Sequence, residues 1–305
     1  MDKRNRRRRI LSRDRVGIVM SFYSPCGFET PKRLFADALA RIVATGAIVA
    51  VTQATLPGQL PQPVLDGVRH AVYENADVMF YKENLWNLAV ELLPDCDAFV
   101  FLDADVRLTD GWLDGVVDTL NAADVCQPFS RCRWLDRDNK LDRQMRSAAA
   151  AIEGGQAPWP SRCHPGFGLG ITREAYENLG GIYERLVSGG GDMAFWLAMS
   201  RHRETAAIVQ SKSSGGELNL SSPSYVAWRE NAARVMPSVA AVAGVTAWHS
   251  WHGDRINRRY TERENFFPRL PCGEPAVERR SDGLLAYTLS APHAAEYFAS
   301  RREDG

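Results

Sequence analysis

The sequence predicts an α/β protein built on a mostly parallel sheet that is covered by helices. Apolar runs of strand length alternate with longer amphipathic stretches through the first half of the chain, and this alternation is typical of parallel strands joined by helical crossovers. In addition, residues 98–102 form a continuous apolar run that leads directly into Asp103 and Asp105. A strand that is apolar on both faces belongs in the interior of such a sheet.

Strand and helix signals follow each other in order along the first half. The apolar run 16–21 predicts the first strand, and residues 31–45 predict a helix because their apolar side chains recur on one stripe. Gly46 then ends this helix. The further predictions are a strand at 47–51, a Pro-rich loop at 56–63, a short helix at 64–73, a strand at 78–81, a helix at 85–93, the strand at 98–102, a helix from 110 and a strand at 125–129.

The second half carries fewer strand signals and more glycine. Residues 173–179 predict a helix, and three glycines at 189–191 open onto Asp192 and an apolar helix that extends to Met199. Glycines let other groups approach the backbone closely, and a carboxylate at the start of a helix lies at its positive end. The other segments are a charged, Ala-rich connector or helix at 136–157, a strand at 245–249, an Arg-rich stretch at 254–263 and a peripheral segment at 271–305.

The composition limits the kind of protein that the chain can form. With 305 residues, 45% hydrophobic content and a net charge of zero, it suits a globular protein with a large core and argues against nucleic-acid binding. Residues 1–15 hold eight Lys or Arg. This segment predicts a disordered, solvated tail, or alternatively a peripheral contact with an anionic surface.

The same sequence favours a cytoplasmic protein. It contains no apolar stretch that is long enough to span a membrane, and its basic start lacks the apolar core of a secretory signal. Its six cysteines are scattered without a Cys-x-x-Cys pair, which is typical of reduced thiols in the cytosol.

Three Asp-x-Asp triplets occur in the chain, and only one of them follows a buried strand. Asp103 and Asp105 come directly after 98–102, whereas the other two triplets, at 95–97 and 136–138, lie in polar turns. Two carboxylates at the end of a buried strand are costly unless a cation neutralises them, and hard divalent cations prefer oxygen ligands. The triplet also lies at the sheet edge at which open α/β sheets bind ligands. The pattern predicts a metal-bound phosphate substrate, with a purely structural strand-end cap as the alternative.

These motifs, in this order, resemble the GT-A fold of nucleotide-sugar glycosyltransferases, a Rossmann-like fold, and are most similar to family-2-like and galactosyltransferase-like members. The similarity covers residues 16–265. It is carried by Asn87, which stands sixteen residues before Asp103, by the Gly-Phe-Gly-Leu-Gly stretch from Gly166, by Leu179-Gly-Gly, by Gly191-Asp192 and by His252 in Trp-His-Gly.

Two positions depart from the family pattern. Trp86 stands where the family usually has Arg, so one nucleotide contact of the family lacks its usual side chain here. Gly191 stands where the family often has Glu, so Asp192 is the sole acid that matches this motif.

The resemblance implies a division of the chain and a set of site residues. A nucleotide-binding half at about 16–130 and an acceptor half at about 131–265 would form the GT-A domain, with a C-terminal extension at 266–305. The implied metal ligands of Mn²⁺, or alternatively Mg²⁺, are Asp103, Asp105 and His252. The expected nucleotide and diphosphate contacts are Phe22, Tyr23, Gln53, Asn87, Asp103, Arg255 and Arg259. Arg258 is an alternative diphosphate contact, and a solvated face is the alternative for all three arginines.

Three expectations concern the chemistry of individual residues. Asp105 is the expected direct metal ligand, while Asp103 reaches the ribose, or the metal through water. His249 and His252 are three residues apart, so on a strand they would face opposite sides, and only His252 is expected at the metal. Asp192 is the expected base that takes the acceptor proton, and an N-cap of its own helix is the alternative.

The predicted activity is transfer of a hexose from a UDP-linked or other nucleotide-diphosphate donor, with inversion, to the hydroxyl of a glycan, lipid-linked or protein acceptor. A sugar-nucleotide nucleotidyltransferase and a non-catalytic sugar- or nucleotide-binding relic are the alternatives. A phosphatase of the haloacid dehalogenase type is disfavoured, because that family has its Asp-x-Asp after the first strand and several elements precede Asp103 here.

Overall fold

The computed structural model describes residues 10–214, 218–261 and 263–305. A mixed sheet of seven strands lies at its centre, with one strand antiparallel to its neighbours and the others parallel. In spatial order these strands are β11 (Val239–Ala241), β6 (Val125–Gln127), β10 (Gly168–Thr172), β4 (Ala98–Leu102), β1 (Val16–Phe22), β2 (Ile48–Ala54) and β3 (Arg69–Tyr73). The antiparallel strand is β10. The predicted α/β class, with a mostly parallel, Rossmann-like sheet, is therefore confirmed.

Strand β4 lies in the interior of this sheet because its side chains are apolar on both faces. All five of its residues are buried. Phe99 and Phe101 enter the core on one face, while Val100 and Leu102 enter the core on the other. Since β1 and β10 pair with its two edges, the chain that leaves β4 emerges near the middle of the carboxyl edge of the parallel strands.

Helices pack on both faces of the sheet, as their apolar stripes require. On one face lie α1 (Glu29–Val43) and α3 (Trp112–Ala122). On the other face lie α2 (Lys82–Val90), α4 (Ala148–Glu153), α5 (Arg173–Leu179) and α6 (Gly191–Met199). The other helices of the described residues are α7 (Thr205–Ser214), α8 (Pro223–Val235), α9 (Ala294–Ser300) and 3-10 helices at Arg13–Arg15, Arg255–Arg258 and Arg263–Phe266.

A second sheet lies beyond the end of β4. Its five strands, in spatial order, are β5 (Val106–Leu108), β12 (Thr246–His249), β7 (Arg131–Leu135), β8 (Leu141–Ser147) and β9 (Cys163–His164). Because β5 follows Asp105 directly and pairs with β12, it brings the Asp-x-Asp segment and the histidines at the end of β12 together. A small hairpin of β13 (Val277–Arg279) and β14 (Leu285–Tyr287) lies in the C-terminal part.

Two predicted elements were wrong, and a third, the connector or helix at 136–157, was right only for α4 (Ala148–Glu153). Residues 64–73 were predicted as a helix, but 69–73 form β3 because this segment pairs in register with β2. Residues 78–81 form no strand. The charged segment 136–157 contains a hairpin in its first part, and Asp136 stabilises the turn by accepting the backbone N–H groups of Asp138 and Lys140.

The ends of the described chain are more closely packed than the sequence indicates. Residues 1–9 of the basic segment 1–15 lie outside the described residues. In the described part of this segment, Leu11 is buried and Arg15 forms a bidentate ion pair with Asp97. The segment 271–305 is not peripheral, because Leu285, Tyr297 and Phe298 belong to a buried cluster with residues of α2.

Among the described residues, no helix has the length and apolarity that crossing a membrane requires.

Candidate metal and substrate site

A cavity of about 940 Å³ lies beyond the ends of β1 and β4, between the central sheet and the second sheet. Its walls come from segments that are far apart in the sequence. Aromatic and ionisable side chains make up much of the lining, among them Phe22, Tyr23, Lys82, Glu83, Asp103, Asp105, His164, Asp192, His249, His252, Arg255, Arg258, Arg263, Arg301 and Glu303.

Asp105, His249 and His252 converge at one point of this cavity. The Oδ2 atom of Asp105 lies 2.7 Å from Nε2 of His252 and 3.3 Å from Nε2 of His249, and the two Nε2 atoms are 3.3 Å apart. Ligands bound to one ion at about 2.0–2.2 Å stand about 3 Å from their neighbours. The three atoms therefore have the spacing of one face of a metal coordination shell.

The contacts of His252 cannot all be satisfied by any protonation state of its ring. The 2.7 Å contact between Nε2 and the Asp105 carboxylate requires a proton on Nε2. Nη2 of Arg258 lies 2.8 Å from the same nitrogen, and because a guanidinium only donates, this contact requires a lone pair there. A cation bound to both Asp105 and His252 resolves the conflict, since oxygen and nitrogen would both donate electron pairs to it and Arg258 would move away from Nε2.

The donor set also fits a divalent cation. Oδ1 of Asp105 is buried and accepts no hydrogen bond from a described residue, so this carboxylate has an unused lone pair in a costly position. Burial opposes its charge, but the imidazoles of His249 and His252 hold the pKa of Asp105 well below its usual range. One carboxylate and two imidazoles suit Mn²⁺ better than Mg²⁺, which prefers oxygen ligands.

The expectation that His249 and His252 face opposite sides was wrong. Strand β12 ends at His249, and residues 250–252 leave the sheet, so strand alternation does not extend to His252. His249 is held by Phe167, whose ring stacks on it at 4.9 Å. Burial lowers the pKa of His249, which favours the neutral imidazole that binds metals.

Asp103 takes part in a second group of charges beside the first. Its Oδ2 accepts the backbone N–H of Phe167, and its Oδ1 lies 3.3 Å from Nζ of Lys82. The same ammonium lies 3.7 Å from Asp192 and 3.9 Å from Glu83. Burial works against the charge of Lys82, but these three carboxylates outweigh it and raise the pKa of the ammonium. Lys82 thus holds the carboxylates together.

Asp192 does not have the geometry of a simple helix cap. The N-cap residue of α6 is Gly190, and Oδ1 of Asp192 accepts the N–H of its neighbour Met193. Its Oδ2 lies 3.7 Å from Nζ of Lys82 and packs against Gly166, where an added Cβ would lie 2.5 Å from this oxygen. Burial raises the pKa of Asp192, but Lys82 and His164 outweigh it and keep it below its usual range. Asp192 is therefore a charged acceptor at the wall of the cavity.

The carboxyl of Glu83 occupies the space that a side chain at residue 191 would fill. A Cβ on Gly191 would collide with Cδ and Oε1 of Glu83. Glu83 is 2% exposed, and its Oε1 accepts no hydrogen bond within the part of the chain that the structure describes. Burial raises the pKa of Glu83 to about 7. Glu83 of α2 therefore places its carboxyl group where the acid of the family pattern at position 191 would stand.

Substitution of Glu83 by glutamine should change how stability depends on pH. The folded pKa of Glu83 lies above its unfolded value of 4.5, so the native state holds the proton more tightly. The free energy of unfolding should therefore fall as pH rises from about 4.5 to 7 in the wild type, by about 1.4 kcal/mol for each pH unit between the unfolded and the folded pKa. Chemical denaturation between pH 4 and 8 should show this difference between wild type and Glu83→Gln.

The matched control for this prediction is Glu91→Gln, which changes an exposed carboxylate at the other end of α2. The free energy of unfolding of the wild type minus that of Glu83→Gln should fall over this pH range. A difference that stays constant or increases would contradict the burial argument.

The expected nucleotide contacts fall into two groups. Phe22, Tyr23, Asp103, Arg255 and Arg258 line the cavity. Asn87 and Gln53 are not among its lining residues: Asn87 bonds to Ile182, Tyr176 and Glu184, and Gln53 exchanges two hydrogen bonds with the backbone of Gln62. Arg259, also outside the lining residues, lies over the ring of Phe266.

Several residues of the site were missed by sequence reasoning. Lys82 and Glu83 stand in the helix that carries Asn87, so an adjacent charged pair at a helix start was an available signal. His164 has a buried Nε2 without a hydrogen-bond partner among the described residues, and burial lowers its pKa to about 3. Arg301 and Glu303 carry no local signal, because only the packing of α9 brings them to the cavity.

The chain has only weak structural similarity to solved proteins, with TM-scores of 0.31 to 0.39 for the three given below. No family model matches the chain, and no curated protein matches it. Rv0371c from Mycobacterium tuberculosis H37Rv is similar with a TM-score of 0.39 and 16% identity over 63% of this chain and 87% of that one. Its homologue from Mycobacterium sp. strain JC1 is similar with a TM-score of 0.37 and 13% identity over 57% of this chain and 77% of that one.

A third solved structure, 4-diphosphocytidyl-2C-methyl-D-erythritol synthase from Anaerococcus prevotii, gives a TM-score of 0.31 and 8% identity over 55% of this chain and 75% of that one. With TM-scores below 0.5, these neighbours assign neither a family nor an activity to the chain.

Proposed function

We propose that the protein is a metal-dependent GT-A glycosyltransferase that moves a hexose from a nucleotide-diphosphate donor, UDP-linked in our preferred form, to an acceptor hydroxyl. The observation that supports this most is the cluster of Asp105, His249 and His252 directly beyond the buried strand β4. It lies in a cavity of about 940 Å³, which is large enough for a nucleotide sugar.

Asp105, His249 and His252 would hold the cation, Mn²⁺ or alternatively Mg²⁺, and Asp103 would stand beside it at the ribose or a metal-bound water. When bound, the ion supplies Lewis-acid stabilisation of the charge that develops on the leaving diphosphate. Lys82 would orient Asp103, because its ammonium contacts that carboxylate at 3.3 Å. Burial raises the pKa of Asp103, and the charge of Lys82 opposes this rise.

The cationic wall of the cavity supports a diphosphate as the leaving group. Arg255, Arg258, Arg263 and Arg301 all line it. Guanidinium groups bind phosphate oxygens through paired, charge-assisted hydrogen bonds. Phe22 and Tyr23, at the end of β1, supply the apolar surface against which the nucleobase of the donor would pack.

Asp192 would take the proton of the acceptor hydroxyl as the new glycosidic bond forms, which gives inversion at the sugar carbon. Asp192 lines the cavity, and its side chain is 25% exposed. The acceptor itself would be a glycan, a lipid-linked sugar or a protein hydroxyl.

The experiment is incubation of the protein with a panel of UDP-, GDP- and dTDP-sugars and Mn²⁺, with product analysis. Release of a nucleoside diphosphate is the expected result, and the donor that reacts should also raise the melting temperature. Release of pyrophosphate from a nucleoside triphosphate and a sugar phosphate would instead identify a nucleotidyltransferase. Stabilisation by a nucleotide without turnover would identify a binding relic.

A further inference from the structure

The segment of residues 301–305, here called the strap, crosses the candidate metal site from outside the main sheet. It follows α9, and its residues Arg301 and Glu303 line the cavity. Oε1 of Glu303 lies 3.6 Å from Nδ1 of His252, whereas Asp105 contacts Nε2 of the same ring. The strap thus places a carboxylate behind one of the three candidate ligands.

One ion pair orders the strap internally, and one set of contacts joins it to α1. Glu303 accepts two hydrogen bonds from Arg301, at 2.9 and 2.5 Å. Asp304 accepts the backbone N–H groups of Glu29 and Thr30 at the start of α1, at 3.1 and 2.7 Å, where a carboxylate is favoured by the free N–H groups of the helix.

Gly253, one residue after His252, shows how closely the strap approaches. It has a φ of +86°, and an added Cβ would lie 2.8 Å from the carbonyl oxygen of Arg302 and 3.1 Å from Cα of Glu303. Only glycine fits this conformation at this distance. The backbone around His252 and the backbone of the strap are therefore in direct contact.

The ring of His252 needs such a partner when it binds a cation. A metal bound at Nε2 requires the ring proton on Nδ1, and a hydrogen-bond acceptor at Nδ1 fixes both the tautomer and the ring orientation. Nη2 of Arg258 lies 3.3 Å from Nδ1 and can only donate, so it cannot take this proton. Glu303, at 3.6 Å, is the carboxylate that can take it once Arg258 moves away from the ring.

We infer that Glu303 is a positioning residue for the cation site: it accepts the Nδ1 proton of His252, directs Nε2 toward Asp105 and thereby sets the affinity for a divalent cation. This inference rests on the metal assignment of the proposed function. It gives the strap a role in the site as well as in the fold.

The test is Mn²⁺ binding to the 305-residue protein, measured by electron paramagnetic resonance of free Mn²⁺. The variants are Glu303→Gln, which keeps the side-chain volume, and the matched control Glu296→Gln, which removes an exposed carboxylate from α9. Loss of a carboxylate behind a histidine ligand is expected to weaken binding by about 10–100-fold, whereas Glu296→Gln should bind as the wild type does. Glu303→Asp should recover part of the affinity.

Two further readouts separate positioning from a general loss of structure. The visible spectrum of the Co²⁺ form should change in Glu303→Gln, while the circular dichroism spectrum of the metal-free variant should match that of the wild type. If Glu303→Gln does not fold, ¹⁵N spectra of the Mg²⁺-bound wild type decide the matter: His252 should be protonated at Nδ1, and protonation at Nε2 would overturn the inference.

The outcomes also separate this inference from the proposed function. Wild-type binding of Mn²⁺ with an equal affinity in Glu303→Gln would overturn the role of Glu303 and leave the metal site intact. Failure of the wild type to bind any divalent cation would overturn both.

Discussion

Asp105→Asn should abolish high-affinity divalent-cation binding and lower sugar transfer by about 100-fold or more. Asp105 is the single carboxylate of the three-residue cluster, and its Oδ2 contacts both imidazoles. An amide oxygen carries no charge and is a poorer ligand. A catalytic metal contributes several kcal/mol to transition-state stabilisation, and each 1.4 kcal/mol or so is a factor of about ten in rate. Calorimetric titration with Mn²⁺ and Mg²⁺, together with nucleoside diphosphate release, measures both effects.

The chain supplies its own control for this experiment. Asp138 belongs to another Asp-x-Asp triplet, but it lies in the turn between β7 and β8, where its exposed carboxylate pairs with the equally exposed Lys140. Asp138→Asn should therefore leave metal binding and transfer unchanged. Activity that persists in Asp105→Asn, or tight Mn²⁺ binding by that variant, would remove the basis of the metal assignment.

Asp192→Asn should lower kcat by about 10²–10⁴-fold, the range that general acid–base catalysis contributes, and should leave metal binding intact. The substitution preserves the shape of the side chain and the contact with the N–H of Met193, but it removes the ability to accept the acceptor's proton. Because Asp192 lies outside the cluster of Asp105 and the histidines, donor KM should change little. Steady-state kinetics with varied donor and a fixed acceptor give the split between kcat and KM.

The control for Asp192→Asn is another acid in the first turn of a helix. Asp114 stands in the first turn of α3 and is exposed on the surface, where it pairs with Arg13. Asp114→Asn should lower the free energy of unfolding only slightly, since it removes an exposed charge near a helix start. It should leave the activity unchanged. If Asp192→Asn retained kcat within about fivefold, the base would have to be sought elsewhere in the cavity, because a lost proton acceptor costs more than that.

The two variants differ in what they leave intact. Asp105→Asn should reduce metal binding together with turnover, whereas Asp192→Asn should reduce turnover alone. A pattern in which both variants lost metal binding would indicate that Lys82, which contacts Asp103 and Asp192, joins the two groups of charges into one unit.

Much of the fold was predictable because its signals are local. The apolar stripe of α1 and the continuous apolar run of β4 each follow from residues close together in the chain. The errors fell where pairing partners decide the structure. Segment 69–73 became a strand because β2 offered an edge, and segment 136–147 became a hairpin around the turn at Asp136. No periodicity within those segments carries that information.

The sequence by itself determined the position of Asp105, because a buried strand followed by an acid fixes where that acid emerges. It also determined that Asp192 opens a helix after glycines. The tertiary structure alone decided which residues meet these acids. His249 joins His252 because β12 ends between them, Glu83 fills the space beside Gly191, and Glu303 reaches His252 from the far end of the described chain. Such contacts depend on packing between distant segments, and the physical reason is that short-range patterns specify elements but not their neighbours.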